Sequence, residues 1–245
     1  MTKSAEELLA VQVGEGSVAE NLRRAVASGA LIENDDGTLQ LADDQPRNGN
    51  WVAVNHGPPM DCKFLLLFLF PLAYAKSAVP QGCSACYKVK VMPRTLRELV
   101  AAWDVAKRIE CKSKWGADLG NPYSQNIYAG YFYTAGLDMA RTIYKIVRHE
   151  LDSDPKLGPD IAMSIKRGCS EYEALLGPSD RYEFAPELAE LEAHLKAKFR
   201  VKKRPPEPAL PLAHWIDVAF RVGDDTYLDF TAGKRLRPKA VSYDP

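Results

Sequence analysis

The sequence predicts an α+β (or α/β) protein built on one central mixed sheet, and three observations predict it. Tyr87-Lys-Val-Lys-Val-Met92 alternates strictly, Tyr87, Val89 and Val91 falling on one face and lysines on the other, the pattern of a half-buried strand. Just behind it, Leu96, Leu99, Val100, Trp103 and Ala106 recur at helical spacing, so the chain turns from strand to helix within a few residues. The exchange then repeats: the aromatic-rich segment Ile127 to Thr134 precedes Ala140, Ile143, Tyr144, Val147 and Leu151, which share one helical face.

The elements follow in order. Ser4 to Gln12 and Ser17 to Ser28 carry helical patterning, and Gly29 stops the second. Leu31 to Leu41 reads as a hairpin, because Asp36-Gly37 favours a tight primed turn between two apolar runs. A helix followed by a hairpin resembles half of a winged helix. However, Glu33, Asp35 and Asp36 put negative charge where a DNA-binding wing needs positive, so packing or contact with a protein partner is the expected role. Asp43 to Asn50 is a polar linker.

Phe64 to Ala75 is a run of twelve residues, apolar apart from one tyrosine, interrupted by Pro71 and flanked by Lys63 and Lys76. A membrane span needs ~20 apolar residues, so no membrane segment is expected. The run reads instead as a strand buried on both faces and ended by its proline. The alternating strand from Tyr87 follows and stops at Pro93; Thr95-Leu-Arg-Glu98 then supplies a capping box for a helix reaching about Glu110.

The second strand, Ile127 to Thr134, follows Asn121-Pro122, and Gly136 turns the chain into the second helix. After a turn from Asp152 to Pro159 comes a third strand, Asp160 to Lys166. The resulting strand-helix-strand-helix-strand order predicts a ferredoxin-like core. Glu187 to Phe199 forms another amphipathic helix, Lys202 to Pro211 a proline-rich connector, and Trp215 to Phe220 with Thr226 to Phe230 a C-terminal hairpin around Gly223. Three units are expected: a small helix-hairpin unit over 1–50, the main α+β domain over 51–201, and the connector with its hairpin over 202–245.

The totals narrow the function. Thirty-two basic residues balance thirty-two acidic ones, so the overall charge gives no strong nucleic-acid signal. The five cysteines, an odd and small set, argue against a disulfide framework. The first residues lack the basic-then-apolar order of a signal peptide. A cytoplasmic protein with reduced thiols is therefore expected. His56, His149, His194 and His214 are scattered and form no zinc-enzyme motif. Phosphate-loop, dinucleotide and serine-hydrolase signatures are absent from the sequence. Tyr128, Tyr131 and Tyr133 make a dense aromatic stretch, which reads as sheet core with hydroxyls reaching the rim, as a stacking platform for bases or a flat ligand, or as tyrosines near a redox centre.

The concentrated chemistry lies in the cysteines. Cys62, Cys83, Cys86 and Cys111 fall within fifty residues, and Cys83-Ser-Ala-Cys86 is a Cys-x-x-Cys pair. Four thiolates suffice for one tetrahedral metal or cluster site. The pair precedes a strand rather than opening a helix, so the helix dipole that activates a thioredoxin-like dithiol is missing. One pair and two singletons fit cluster ligation, and Lys63, Lys88, Lys90, Lys112 and Lys114 would offset the charge of four thiolates. The expectation is an iron-sulfur cluster of the 4Fe–4S type held by Cys62, Cys83, Cys86 and Cys111, serving electron transfer or redox-linked catalysis. Its alternatives are zinc in a non-catalytic protein-interaction module, or a structural protein whose reduced, buried cysteines merely pack. Cys169, beside Gly168 at the end of the third strand, is a candidate reactive thiol outside that group.

Overall fold

The computed structural model describes residues 3–42, 51–54, 61–120, 122–124, 126–201, 212–238 and 243. The expected linker over 43–50 and the connector over 202–211 lie outside the described residues. The chain opens with α1 (Ala5–Leu9), the two-residue strands β1 (Gln12–Val13) and β2 (Gly16–Ser17), and α2 (Val18–Ala27). Both helices begin with a complete capping box, Ser4 with Glu7 and Ser17 with Glu20, which satisfies backbone N–H groups that a first turn leaves free. Gly29 ends α2 at a left-handed φ of +73°. The expected hairpin forms as β3 (Leu31–Glu33) and β4 (Leu39–Leu41). Its loop, however, spans residues 34–38 rather than a two-residue primed turn: Asp36 accepts hydrogen bonds from the Thr38 N–H and hydroxyl while Gly37 takes the positive φ.

The central sheet begins at β5 (Trp51–Val54) and continues through β6 (Cys86–Met92), β7 (Ser113–Ala117), β8 (Tyr128–Ala135) and β9 (Ala162–Arg167). It is antiparallel throughout rather than mixed, in the order β5-β7-β8-β6-β9. Between its strands run α1's larger successors, α3 (Leu96–Ala106) after β6 and α4 (Leu137–Ser153) after β8. The sequence reading missed β5 and β7. The segment Ser113-Lys-Trp-Gly-Ala117 is short and contains a glycine, and its strand character comes from pairing with β8 and β5 rather than from local propensity. The capping box expected before α3 is half formed: Thr95 accepts from the Glu98 N–H at 3.2 Å, but the Glu98 carboxylate turns to the Arg94 N–H and guanidinium.

Strand alternation divides this sheet sharply. Val89, Val91, Trp115 and Phe132 point to one face and are buried there against α3, α4 and the C-terminal helix. Gly130 lets the Trp115 ring lie on β8, since a Cβ at that position would come within 2.3 Å of it. On the other face the register places Trp51, Lys112, Lys114, Tyr131, Tyr133, Cys86, Lys88, Lys90, Ser164 and Lys166.

The apolar run expected as a strand is a π-helix, Lys63–Ala73, whose final bond runs from the Tyr74 N–H to the Leu69 carbonyl at 2.8 Å. A continuous apolar run has no period with which to choose between helix and strand. Coiled on itself, it satisfies backbone groups internally and can be buried without a neighbouring strand. It anchors a second core with α2, β3 and β4, to which the later elements α5 (Ser170–Leu176), α6 (Leu188–Lys198) and β10 (Phe199–Arg200) also contribute. Phe68 stacks on Phe199 at 4.8 Å there. β10 extends the small hairpin by pairing parallel to β4. Among the described residues no helix is long and apolar enough to cross a membrane.

The C-terminal hairpin is also corrected. Residues Leu212–Arg221 form a helix, α7, and Asp225–Phe230 a 3-10 segment. Trp215, Val218 and Ala219 are buried at helical spacing in the sheet's helix-covered core. Asp224 ties this segment down: its carboxylate accepts from the Leu96 N–H at 2.6 Å, at the start of α3, and from the Tyr128 hydroxyl at 2.7 Å.

Candidate functional site

The four expected ligands do not converge. Cys111 is buried on the helix-covered side of the sheet, its thiol turned to the Tyr133 carbonyl at 3.5 Å. Cys83 and Cys86 are buried in the other core, and Cys83 meets the Tyr172 hydroxyl at 3.5 Å. Cys62 precedes the π-helix and is half-buried. Among the described residues no three or more histidine, cysteine, aspartate or glutamate side chains are grouped so as to hold a metal ion. The expected 4Fe–4S cluster, the zinc alternative, and the electron-transfer and zinc-module functions built on them are therefore overturned. A sheet whose two faces take alternate residues sets Cys111 on the side opposite Cys83 and Cys86.

A different group forms around Lys88. Its side chain, 7% exposed, leaves β6 on the same face as Cys86 and donates from Nζ to the Cys169 sulfur at 3.1 Å. The Lys88 ammonium also lies 5.3 Å from the Tyr133 ring centre. Cys169 comes to this position because Gly168, at φ +68°, bends the chain out of β9 while its N–H donates to the Cys86 carbonyl at 2.9 Å. Cys169 then starts α5. Burial disfavours charge on Lys88, but the ionisable side chains around it, Cys169 first and then Tyr133, Cys86 and Cys62, push its pKa well above the ordinary lysine range. Burial pushes the Cys62 thiol up to about 11 and raises Cys86 and Cys83 as well, so these three stay protonated thiols at neutral pH.

The rest of this sheet face carries lysines and aromatic rings in register. Tyr131 stands directly opposite Lys90 on β6 and Lys114 on β7, and Tyr133 stands opposite Lys88. Trp51 packs at 5.9 Å from Tyr131, with the Lys114 ammonium 5.0 Å from the Trp51 ring centre. Lys112 lies 5.9 Å from the Tyr133 ring. Towards β9 the face is closed by α5, where Lys166 bonds Ser170 and Glu173. Lys90 donates to Asn126 at 2.5 Å. Its pKa is lowered, by burial first and then by the like charge of Lys166. Towards β5 the side chains of Trp51, Lys112, Lys114, Tyr131 and Tyr133 are partly buried.

The sequence had marked these lysines as the polar side of the β6 strand and the tyrosines as a dense stretch, but not that they share one face. The signal was available in the alternation of both strands; the register between them was not. Neither family models, nor curated proteins, nor solved structures give a match to this chain.

Proposed function

We propose that the protein binds single-stranded nucleic acid on the lysine and tyrosine face of its central sheet. The observation that carries this reading is the cross-strand register that sets Tyr131 between Lys90 and Lys114 and leaves Trp51, Lys112, Lys114, Tyr131 and Tyr133 only partly buried. Single strands offer flat bases and a phosphate on every nucleotide. Proteins that take them without reading sequence pair a basic track with aromatic rings on which bases stack. A chain balanced at 32 basic and 32 acidic residues hides this arrangement, because a total does not record which side of a sheet the lysines occupy.

The fold reading belongs with it. The chain order β6-α3-β7-β8-α4-β9 and the sheet order β9-β6-β8-β7 support a ferredoxin-like, split β-α-β core, with β5 added at the β7 edge. RNA-recognition modules stack two or three bases on aromatic residues of a four-stranded sheet. The likeness is one of arrangement and carries no claim of relatedness.

The test is fluorescence anisotropy of a labelled single-stranded oligonucleotide titrated with the full chain. Binding should weaken steeply with added salt, as phosphate neutralisation requires. Tyr131→Ala and Trp51→Ala should each weaken it roughly 5- to 150-fold, the equivalent of about 1–3 kcal/mol for a stacked base. Unchanged affinity in both variants, or no binding at about 50 mM salt, rejects the reading. Competition by mononucleotides as strong as by the oligonucleotide would assign the face to a small ligand instead.

A further inference from the structure

We infer that Lys88 and Cys169 form an oxidation-driven covalent cross-link, a sulfur–nitrogen bond between the lysine Nζ and the cysteine sulfur. The two atoms already stand 3.1 Å apart in a buried position, on β6 and at the start of α5. Cys169 is 6% exposed and Lys88 is 7% exposed. The site lies at the buried end of the same sheet face that carries the proposed ligand surface, with the Lys88 ammonium 5.3 Å from the Tyr133 ring centre.

The oxidant is a peroxide, and the chemistry balances in two steps. The Cys169 sulfur attacks one peroxide oxygen; the O–O bond breaks, sulfur is oxidised by two electrons to the sulfenic acid, and the peroxide is reduced to water. A sulfenic acid condenses with a thiol or with a nitrogen nucleophile. Here the Lys88 nitrogen attacks sulfur, the S–O bond breaks, and the hydroxide leaves with a proton from nitrogen as a second water. No further electrons move in this step.

Two features of the site favour nitrogen over a neighbouring thiol. Lys88 Nζ is the atom in hydrogen-bond contact with the Cys169 sulfur, whereas burial keeps Cys62 and Cys86 protonated and poorly nucleophilic. The amine must also lose its proton, and the first step brings that about. Cys169 leads the groups that hold Lys88 charged against burial. Once the sulfur is a sulfenic acid, the ammonium proton is released to solvent, and burial of Lys88 favours the free amine that attacks. The bond would tether α5 to β6, turning a hydrogen-bonded contact into a covalent one until a reductant cleaves it.

The experiment is peptide mapping by mass spectrometry of the full-length protein after hydrogen peroxide treatment, without prior reduction. The expected product joins the Lys88 and Cys169 peptides with loss of two hydrogen atoms, and dithiothreitol should separate them. Lys88→Arg keeps the positive charge and offers a poor nucleophile, while Lys88→Met removes both; either should abolish the cross-link and leave Cys169 open to sulfinic acid formation. Should Lys88→Met fail to fold, Lys88→Arg and Cys169→Ser still decide the matter. A disulfide from Cys169 to Cys62 or Cys86 in the wild type, or Cys169 oxidised to sulfinic acid with Lys88 unmodified, overturns the inference.

Discussion

Glu192 is a buried carboxylate on α6 that ties the π-helix region to the turn preceding Cys83, and replacing it with glutamine tests that role. The Oε1 atom accepts from the Tyr74 hydroxyl at 2.9 Å and the Gln81 N–H at 2.6 Å, and Oε2 accepts from the Gly82 N–H at 2.8 Å. Glutamine has the same shape but only one acceptor oxygen. With that oxygen at the Oε1 position, its NH2 group confronts the Gly82 N–H; flipped, it confronts the Gln81 N–H. In either orientation one buried backbone donor loses its partner, which costs about 1–3 kcal/mol. For a chain of this length each kcal/mol moves Tm by about 2–4 °C, so Glu192→Gln should lower Tm by roughly 2–12 °C.

The pH dependence sharpens the test. Burial raises the Glu192 pKa despite the hydrogen bonds it receives. A group whose folded pKa exceeds its unfolded value stabilises the fold most when protonated, and that contribution is lost as pH rises from the ordinary glutamate range through the folded pKa. The wild type should therefore lose stability across that window while Glu192→Gln does not, and the gap between them should be larger in acid than at neutral pH. Urea denaturation followed by tryptophan fluorescence measures both. A glutamine variant as stable as the wild type at neutral pH would refute the assignment of Glu192 as a required double acceptor.

Other outcomes follow from the same geometry. Gly130→Ala should destabilise by about 1–3 kcal/mol or more, because its Cβ would lie 2.3–2.5 Å from three atoms of the fully buried Trp115 ring; a normal melting curve would show that the ring can move aside. Asp224→Asn should cost about 1.5–3 kcal/mol, the range for hydrogen bonds to a charged group. Burial works to raise the Asp224 pKa, but bonds from Thr226, Leu96 and Tyr128 outweigh it and hold it below the ordinary range. Its stabilisation is thus present above the ordinary aspartate pKa and lost as pH falls through the folded one; an acid-unfolding curve identical in wild type and variant would contradict this. Cys62, pushed up to about 11, should react with iodoacetamide at pH 8 on the order of 100-fold more slowly than a free thiol. Equal rates in folded and urea-unfolded protein would count against that burial.

Local pattern determined a good part of this protein. The alternation from Tyr87, the helical stripes of α3 and α4, the hairpin around Gly37 and the third strand are all features that neighbouring residues decide among themselves, through side-chain period, capping and turn chemistry. Where the run was uniformly apolar, as at Phe64 to Ala75, no period existed to read, and burial in a core built from both ends of the chain chose a π-helix. The C-terminal segment likewise became helical against α3 and the sheet, with Trp215 and Val218 one helical turn apart in the core. The cysteines show the limit most clearly. Proximity in sequence grouped Cys111 with Cys62, Cys83 and Cys86, but pleating sent Cys111 and Cys86 to opposite faces, and the bend at Gly168 brought the distant Cys169 to Lys88 instead. Which residues alternate is written along the chain; which strand lies opposite them, and in what register, depends on contacts between segments far apart in it, and those contacts placed the lysines, the tyrosines and the buried thiol on one side of the sheet.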